Sequence, residues 1–218
     1  RDFRGYCPHR TRFVGHYAPS NDDTKIFNHT LMKTTLTFVL SLFLWSACNN
    51  GITKKAPLQP LEVASSIGEE GETVLVGPMN RANLNTPEFN AWLQPEYDTL
   101  KIPEGWIAEH AALAKGLHFK LFLGTWCGDT QRELGGMFKL LDALGVSNED
   151  IEMYGLSEAK DSPKGYEKTY AIINIPTLIF MEEGKEINRI VEFPVESLIE
   201  DFSKILKRAP YKDAYADF

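Results

Sequence analysis

The chain has 218 residues, 43% of them hydrophobic and 24% charged, enough for one well-cored domain with appendages and too apolar for a wholly disordered chain. Its formal charge of −7 understates the acidity of the later part: residues 1–47 hold six Lys/Arg against three Asp/Glu, which leaves 17 basic against 27 acidic residues, or −10, for residues 48–218. No basic stripe interleaved with aromatics is present to displace phosphate counterions, so nucleic acid is not expected as a partner.

Residues 1–31 have no hydrophobic period, carry scattered Arg and His, and precede Met32. They read as a leader upstream of the true start or as a flexible arm. Lys33 and the apolar run over 36–47 then have the layout of a secretory signal, residues 32–47; a run of 12 residues is short of the ~20 that span a bilayer. The segment Leu44-Trp45-Ser46-Ala47-Cys48 resembles the bacterial lipoprotein signal, in which small residues precede a cysteine that is lipidated and becomes the mature N-terminus. Trp45 stands where that signal usually has Leu. The resemblance implies lipidation of Cys48, attachment to a membrane through the N-terminal lipid, and a place on the periplasmic side of a bacterial cell envelope. An ordinary secretory signal with an incidental cysteine is the alternative. Residues 48–70 are rich in polar residues, Pro and Gly and read as a tether.

The folded part follows. Thr73, Val74, Leu75 and Val76 form a short strand ended by Gly77-Pro78, and a weak helical stretch covers 87–92. Pro103 opens a better helix over 104–115, with Trp106, Ile107, His110, Ala111 and Ala114 on one face and Gly116 as the stop. Residues 118–123 make a half-buried strand that becomes wholly apolar towards Gly124. The helix over 127–144 carries Leu134, Met137, Phe138, Leu141 and Leu144 at helical spacing, and its Gly135-Gly136 pair is expected to loosen or bend it. A strand over 151–156, an irregular helix over 163–171 and a strand over 177–181 come next, then a turn through Glu182-Glu183-Gly184 into a strand over 186–191. Pro194 opens a last amphipathic helix that buries Val195, Leu198, Ile199, Phe202 and Leu206, and 209–218 form a tail. This order predicts an α/β domain over 71–208, a central mixed sheet with helices on both faces.

Cys7 lies in the leader and Cys48 at the expected mature terminus, which leaves Cys127 as the domain's own cysteine. Trp126-Cys127-Gly128-Asp129-Thr130 follows an apolar strand and opens a helix, and Ile175-Pro176-Thr177 leads into another apolar strand, with Pro176 49 residues after Cys127. At a helix N-terminus the dipole and unpaired N–H groups favour a thiolate. Asp129 and Glu133 oppose that pull, and the Thr130 hydroxyl, one turn on, is placed to donate to the sulfur. Trp126 is a packing residue with one edge exposed or a substrate contact. His110, His118 and the run Glu69-Glu70-Gly71-Glu72 lack ligand spacing, so neither metal nor other cofactor is expected.

Together these motifs resemble the thioredoxin superfamily, in which a strand leads to Trp-Cys-Gly-x-Cys at a helix N-terminus and a cis-proline before a later strand faces the cysteine. The resemblance runs on through the closing hairpin and terminal helix, and Gly135 falls where many members carry a kinking proline. It implies a thioredoxin fold with an N-terminal extension and Cys127 as the catalytic nucleophile, with Thr130 beside it. It further implies a substrate surface of Trp126, Gly128, Asp129, Ile175 and a cis Pro176, where the backbone of Ile175 pairs with an extended peptide. A trans proline at a strand start is the alternative for Pro176.

The sequence departs from the family at two places. Thr130 holds the position of the resolving cysteine, and Leu121 that of the buried acid that assists proton transfer. With one thiol, release of a mixed disulfide requires an external thiol. The implied activity is that of an envelope thiol-disulfide oxidoreductase or isomerase acting on protein thiols or disulfides, with a low-molecular-weight thiol or a second protein cysteine completing the exchange. Two alternatives stand beside it. One is a thiol peroxidase, since glutathione peroxidases carry a similar Cys-Gly-x-Thr, although their Trp-Asn-Phe segment has no counterpart here. The other is a non-catalytic module that binds a peptide between Trp126 and Pro176.

Overall fold

The computed structural model describes residues 56–217; the expected leader, the signal and Cys48 lie outside them. Six strands form one sheet: Ala64–Ile67 (β1), Thr73–Met79 (β2), His118–Leu123 (β3), Ile151–Gly155 (β4), Thr177–Glu182 (β5) and Lys185–Val191 (β6), in the order β1-β2-β4-β3-β5-β6. The helices are Pro87–Thr99 (α1), Trp106–His110 (α2), Gly128–Ala143 (α3), Tyr166–Thr169 (α4) and Leu198–Leu206 (α5). β3 and β4 are parallel neighbours, which requires a crossover, and α3 supplies it. β5 pairs antiparallel with β3, and β6 antiparallel with β5. A β3-α3-β4 unit followed by β5-β6-α5 is the thioredoxin fold that the motifs implied.

Strand alternation sorts the core into two clusters. Phe119, Leu121 and Leu123 face one way with Leu178 and Phe180, and Phe89 of α1, Trp106 of α2, Phe138 of α3 and Phe202 of α5 pack on them. Each such fully buried side chain contributes about 1.5–3 kcal/mol. Phe122, Ile179 and Met181 face the other way, into a smaller cluster with Leu156, Ile172, Ile175 and Cys127. On that face the cover is the 157–176 connection with its single-turn α4, so the expectation of helices on both faces holds only in this reduced form.

Several boundaries differ from the sequence reading. The sheet begins inside the expected tether, because β1 pairs with β2 from Ala64↔Val76 to Ile67↔Thr73 although every β1 residue is exposed. β2 continues through Gly77-Pro78, whose partners are Gly155 and Tyr154; Pro78 lies past the end of β1, where the strand is paired on one side alone and a missing N–H is tolerated. α1 runs on past Trp92 through Pro95 because it packs along α3.

α2 is short, and His110 stacks on Trp106 with Nδ1 donating to the Trp106 carbonyl at 2.7 Å, a side-chain bond that competes for a helical acceptor. α5 starts at Leu198 rather than at Pro194, and Val195 is exposed, because the fully buried Asp201 carboxylate accepts from the Val195 and Glu196 N–H groups and holds 194–197 outside the helix. The Gly135-Gly136 pair leaves α3 unbroken. Its use is close packing: a Cβ at Gly135 would stand 2.5 Å from the Tyr97 nitrogen and 2.6 Å from the Leu93 carbonyl oxygen of α1.

Candidate active site around Cys127

β3 ends at Leu123, and the chain turns through Gly124, Thr125 and Trp126, closed by the Cys127 N–H donating to the Gly124 carbonyl at 3.0 Å. Glycine is required at 124, where a Cβ would lie 2.7 Å from Trp126 Nε1 and 2.8 Å from Ile175 Cδ1. Cys127 is the N-cap of α3, with extended backbone (φ −81°, ψ 124°) and no side-chain cap bond. Its side chain thus stems from the helix end where N–H groups are unpaired and the dipole is positive, while accepting from none of those N–H groups itself.

The thiol is 8% exposed and donates to the Ile175 carbonyl at 3.5 Å. The Ile175–Pro176 bond is cis and both residues are buried, so the expected cis-proline faces the cysteine. Of the Ile175 backbone, expected to pair with a peptide, the carbonyl accepts from the thiol.

Trp126 is half-buried, its Nε1 donating to the Leu156 carbonyl at 3.0 Å, so one edge of the indole is tied to the end of β4. Gly128 is exposed beside the sulfur-bearing residue. Thr130 is fully buried and its Oγ1 accepts from the Gly124 N–H at 3.3 Å; among the described residues it makes no hydrogen bond to Cys127. Its place in the helix turns it towards the strand end, so it braces the turn rather than the sulfur.

The two acids expected to oppose a thiolate are both compensated. Asp129 pairs with Arg132 at 2.5 Å, and Glu133 with the same guanidinium at 2.9 Å. Burial pushes the Glu133 carboxyl above its ordinary value, against the pull of Arg132. Leu121, at the position of the family's buried acid, is wholly within the helix-side core.

Three residues that sequence reasoning did not find shape the site. The Thr125 hydroxyl donates to the Thr73 carbonyl at 2.7 Å and accepts from the Leu75 N–H at 3.1 Å, fastening the turn to β2. Gln131 Nε2 donates to the Thr125 carbonyl at 3.1 Å. Glu192 follows β6, and its N–H donates to the Pro176 carbonyl at 2.7 Å. Burial and then the neighbouring Asp129 push the Glu192 carboxyl above its ordinary value. The one available signal was Thr125 directly before Trp126-Cys127; nothing local marks Glu192.

No protein-family model matches the chain, and no curated protein matches it. Among solved structures, a protein of unknown function from Pseudomonas aeruginosa is similar at 15% identity and a TM-score of 0.42, covering 59% of this chain and 80% of that one. A thioredoxin from Fasciola hepatica is similar at 17% identity and a TM-score of 0.31, over 48% of this chain and 91% of its own. Oxidised mitochondrial thioredoxin 3 from Saccharomyces cerevisiae is similar at 18% identity and a TM-score of 0.27, over 44% and 86%. By its own strand order the chain has a thioredoxin fold, with a cysteine at the N-cap of the crossover helix and a cis-proline before β5.

Proposed function

We propose that the protein exchanges thiols and disulfides through Cys127 alone, as an oxidoreductase or isomerase that depends on an external thiol. The observation that carries this reading is the sulfur at the N-cap of α3 lying against the carbonyl of the cis Ile175–Pro176 bond. In the first step the Cys127 thiol gives up its proton and the thiolate attacks a protein disulfide; a Cys127–substrate disulfide forms and the other sulfur leaves as a thiolate, which takes up a proton. An external thiolate then attacks the substrate sulfur of the mixed disulfide and regenerates the Cys127 thiolate. Attack by a third cysteine of the substrate, other than the one released in the first step, forms a new pairing and gives isomerisation, whereas attack by the released thiolate only restores the starting disulfide. Attack by a separate thiol, followed by a second one on the resulting disulfide, reduces the substrate disulfide and oxidises two thiols. Thr130 provides no second sulfur, so resolution is intermolecular or by substrate.

Trapping tests the reading. A disulfide-bonded peptide added to the protein should yield an adduct at Cys127, found by mass spectrometry and discharged by reduced glutathione; absence of an adduct while the peptide disulfide remains reactive to free thiols would sink it. We also place the protein on the periplasmic side of a bacterial envelope, anchored through lipid on Cys48, on the strength of the 32–48 signal. Palmitate labelling that Cys48→Ser abolishes is the expected result.

The peptide-binding alternative draws on one observation. The Cys127 hydrogen bond to Ile175 is one that only the protonated thiol makes, and the side chain is buried. A module of that kind would bind the peptide equally well with Cys127→Ser.

A further inference from the structure

The chain beyond α5 returns to the Cys127 side of the molecule. Asn188 Nδ2 donates to the Tyr211 carbonyl at 3.2 Å, and the Tyr211 hydroxyl donates to the buried Asp201 at 2.8 Å, pinning the start of the tail to β6 and α5. Further on, the Tyr215 hydroxyl donates to the Glu192 carboxylate and its ring stands 6.1 Å from that of Phe193.

Asp213, Tyr215 and Ala216 thereby form one wall of a cavity of about 340 Å³. The 171–174 stretch that leads into the Ile175–Pro176 bond lines it as well, with Arg189 and Val191 of β6. Ile172 belongs both to this cavity and to the cluster that packs around Cys127.

Glu192 is the joint between these parts. Its N–H holds the Pro176 carbonyl, and its carboxyl lies beside Asp129 in the first turn of α3 and accepts from Tyr215. Its φ of 64° is a left-handed conformation for a non-glycine residue, kept where the surroundings over-determine it. One hydrogen-bonded route therefore runs from the tail through Glu192 to the cis-proline, and from there to the carbonyl that accepts from the thiol.

We propose that the C-terminal tail is a strap, latched by Tyr215 on Glu192, that closes the groove beside the Ile175–Pro176 bond and restricts access to Cys127. The strap is a regulation of the same site and rests on the exchange reading only in taking Cys127 as the reacting group. An extended protein segment lying along 172–176 would have to enter the cavity that Tyr215 and Ala216 wall, so a partner engages Cys127 by lifting the latch, whereas a small thiol reaches it with the strap closed.

The test is alkylation of Cys127 in the full chain, read by peptide mapping so that Cys7 and Cys48 do not contribute. Iodoacetamide serves as the small probe and fluorescein maleimide as the bulky one. Tyr215→Phe removes the latch and keeps the ring; Tyr215→Ala removes both. Loss of one hydrogen bond should raise the bulky reagent's rate about fivefold in Tyr215→Phe. The rate should rise further in Tyr215→Ala, with the iodoacetamide rate unchanged. Unchanged rates with both reagents, or an equal rise with both, would overturn the strap. Should Tyr215→Ala fail to fold, Tyr215→Phe decides alone. Because the readout is alkylation and not exchange, a failed strap leaves the exchange reading standing, and a failed exchange reading leaves the strap open to this measurement.

Discussion

On one face of the sheet, Phe119 and Phe180 meet edge to face at 5.2 Å under α1, α3 and α5; on the other, Phe122 and Ile179 lie under a connection whose only helix is one turn long. The two faces share strands β3 and β5, yet the first is closed by helices that seal a large apolar cluster and the second by a loop that lies against the sulfur of Cys127. The larger apolar cluster and the candidate nucleophile thus lie on opposite sides of one sheet. A perturbation of either should leave the other largely unaffected.

The largest expected effect is on the helix side. Phe180→Ala removes a fully buried ring that also meets Phe202 at 5.0 Å, and should cost about 3–5 kcal/mol in urea unfolding while the folded protein alkylates Cys127 at the wild-type rate. A changed thiol rate would break the separation of the faces. Next is Gly135→Ala, whose new methyl would press on the α1 backbone; a loss of about 1–3 kcal/mol is expected, and a neutral result would mean that α1 yields easily.

Thr125→Val joins the two questions. It strips a hydroxyl from the Thr73 carbonyl and the Leu75 N–H at a buried position, at about 1–3 kcal/mol. Because the turn it fastens carries Cys127, both the unfolding midpoint and the alkylation rate should move.

The smallest effect is a pH dependence. The Glu192 carboxyl is raised above its ordinary value of 4.5, with Asp129 and Arg132 of α3, Lys160 and Tyr215 as its charged or titratable neighbours. A raised acid contributes stability that is present below its unfolded value and lost as pH climbs through its folded one. Glu192→Gln should therefore be more stable than wild type at neutral pH, with the gap closing as pH falls through the raised value towards 4.5. Urea unfolding across that range checks it, and a gap that widens towards acid would reverse the assigned sign.

What the sequence made legible was local. The apolar run HFKLFL, the cysteine opening a helix and a proline before a second apolar run all act within a few residues, and β3, α3 and the cis bond appear where those signals lie. What it hid was tertiary. β1 has no buried residue to announce it and exists through its backbone ladder with β2. α1 outlasts its weak periodicity and Pro95 because Gly135 lets α3 come close. Thr130 looked like a partner for the sulfur from helical spacing alone, but the end of β3 offers its hydroxyl the Gly124 N–H. Glu192 reaches the site through sheet pairing, so no spacing rule along the chain could mark it.

Turnover of Cys127 in exchange is the property on which the proposed function stands. The most direct measurement follows, at catalytic protein concentration, the transfer of disulfide from a bonded peptide to glutathione by the full chain and by Cys127→Ser, with Thr130→Cys as a third sample. Acceleration by the wild type should rise with glutathione concentration and be absent from Cys127→Ser. Equal rates for the wild type and Cys127→Ser would contradict it.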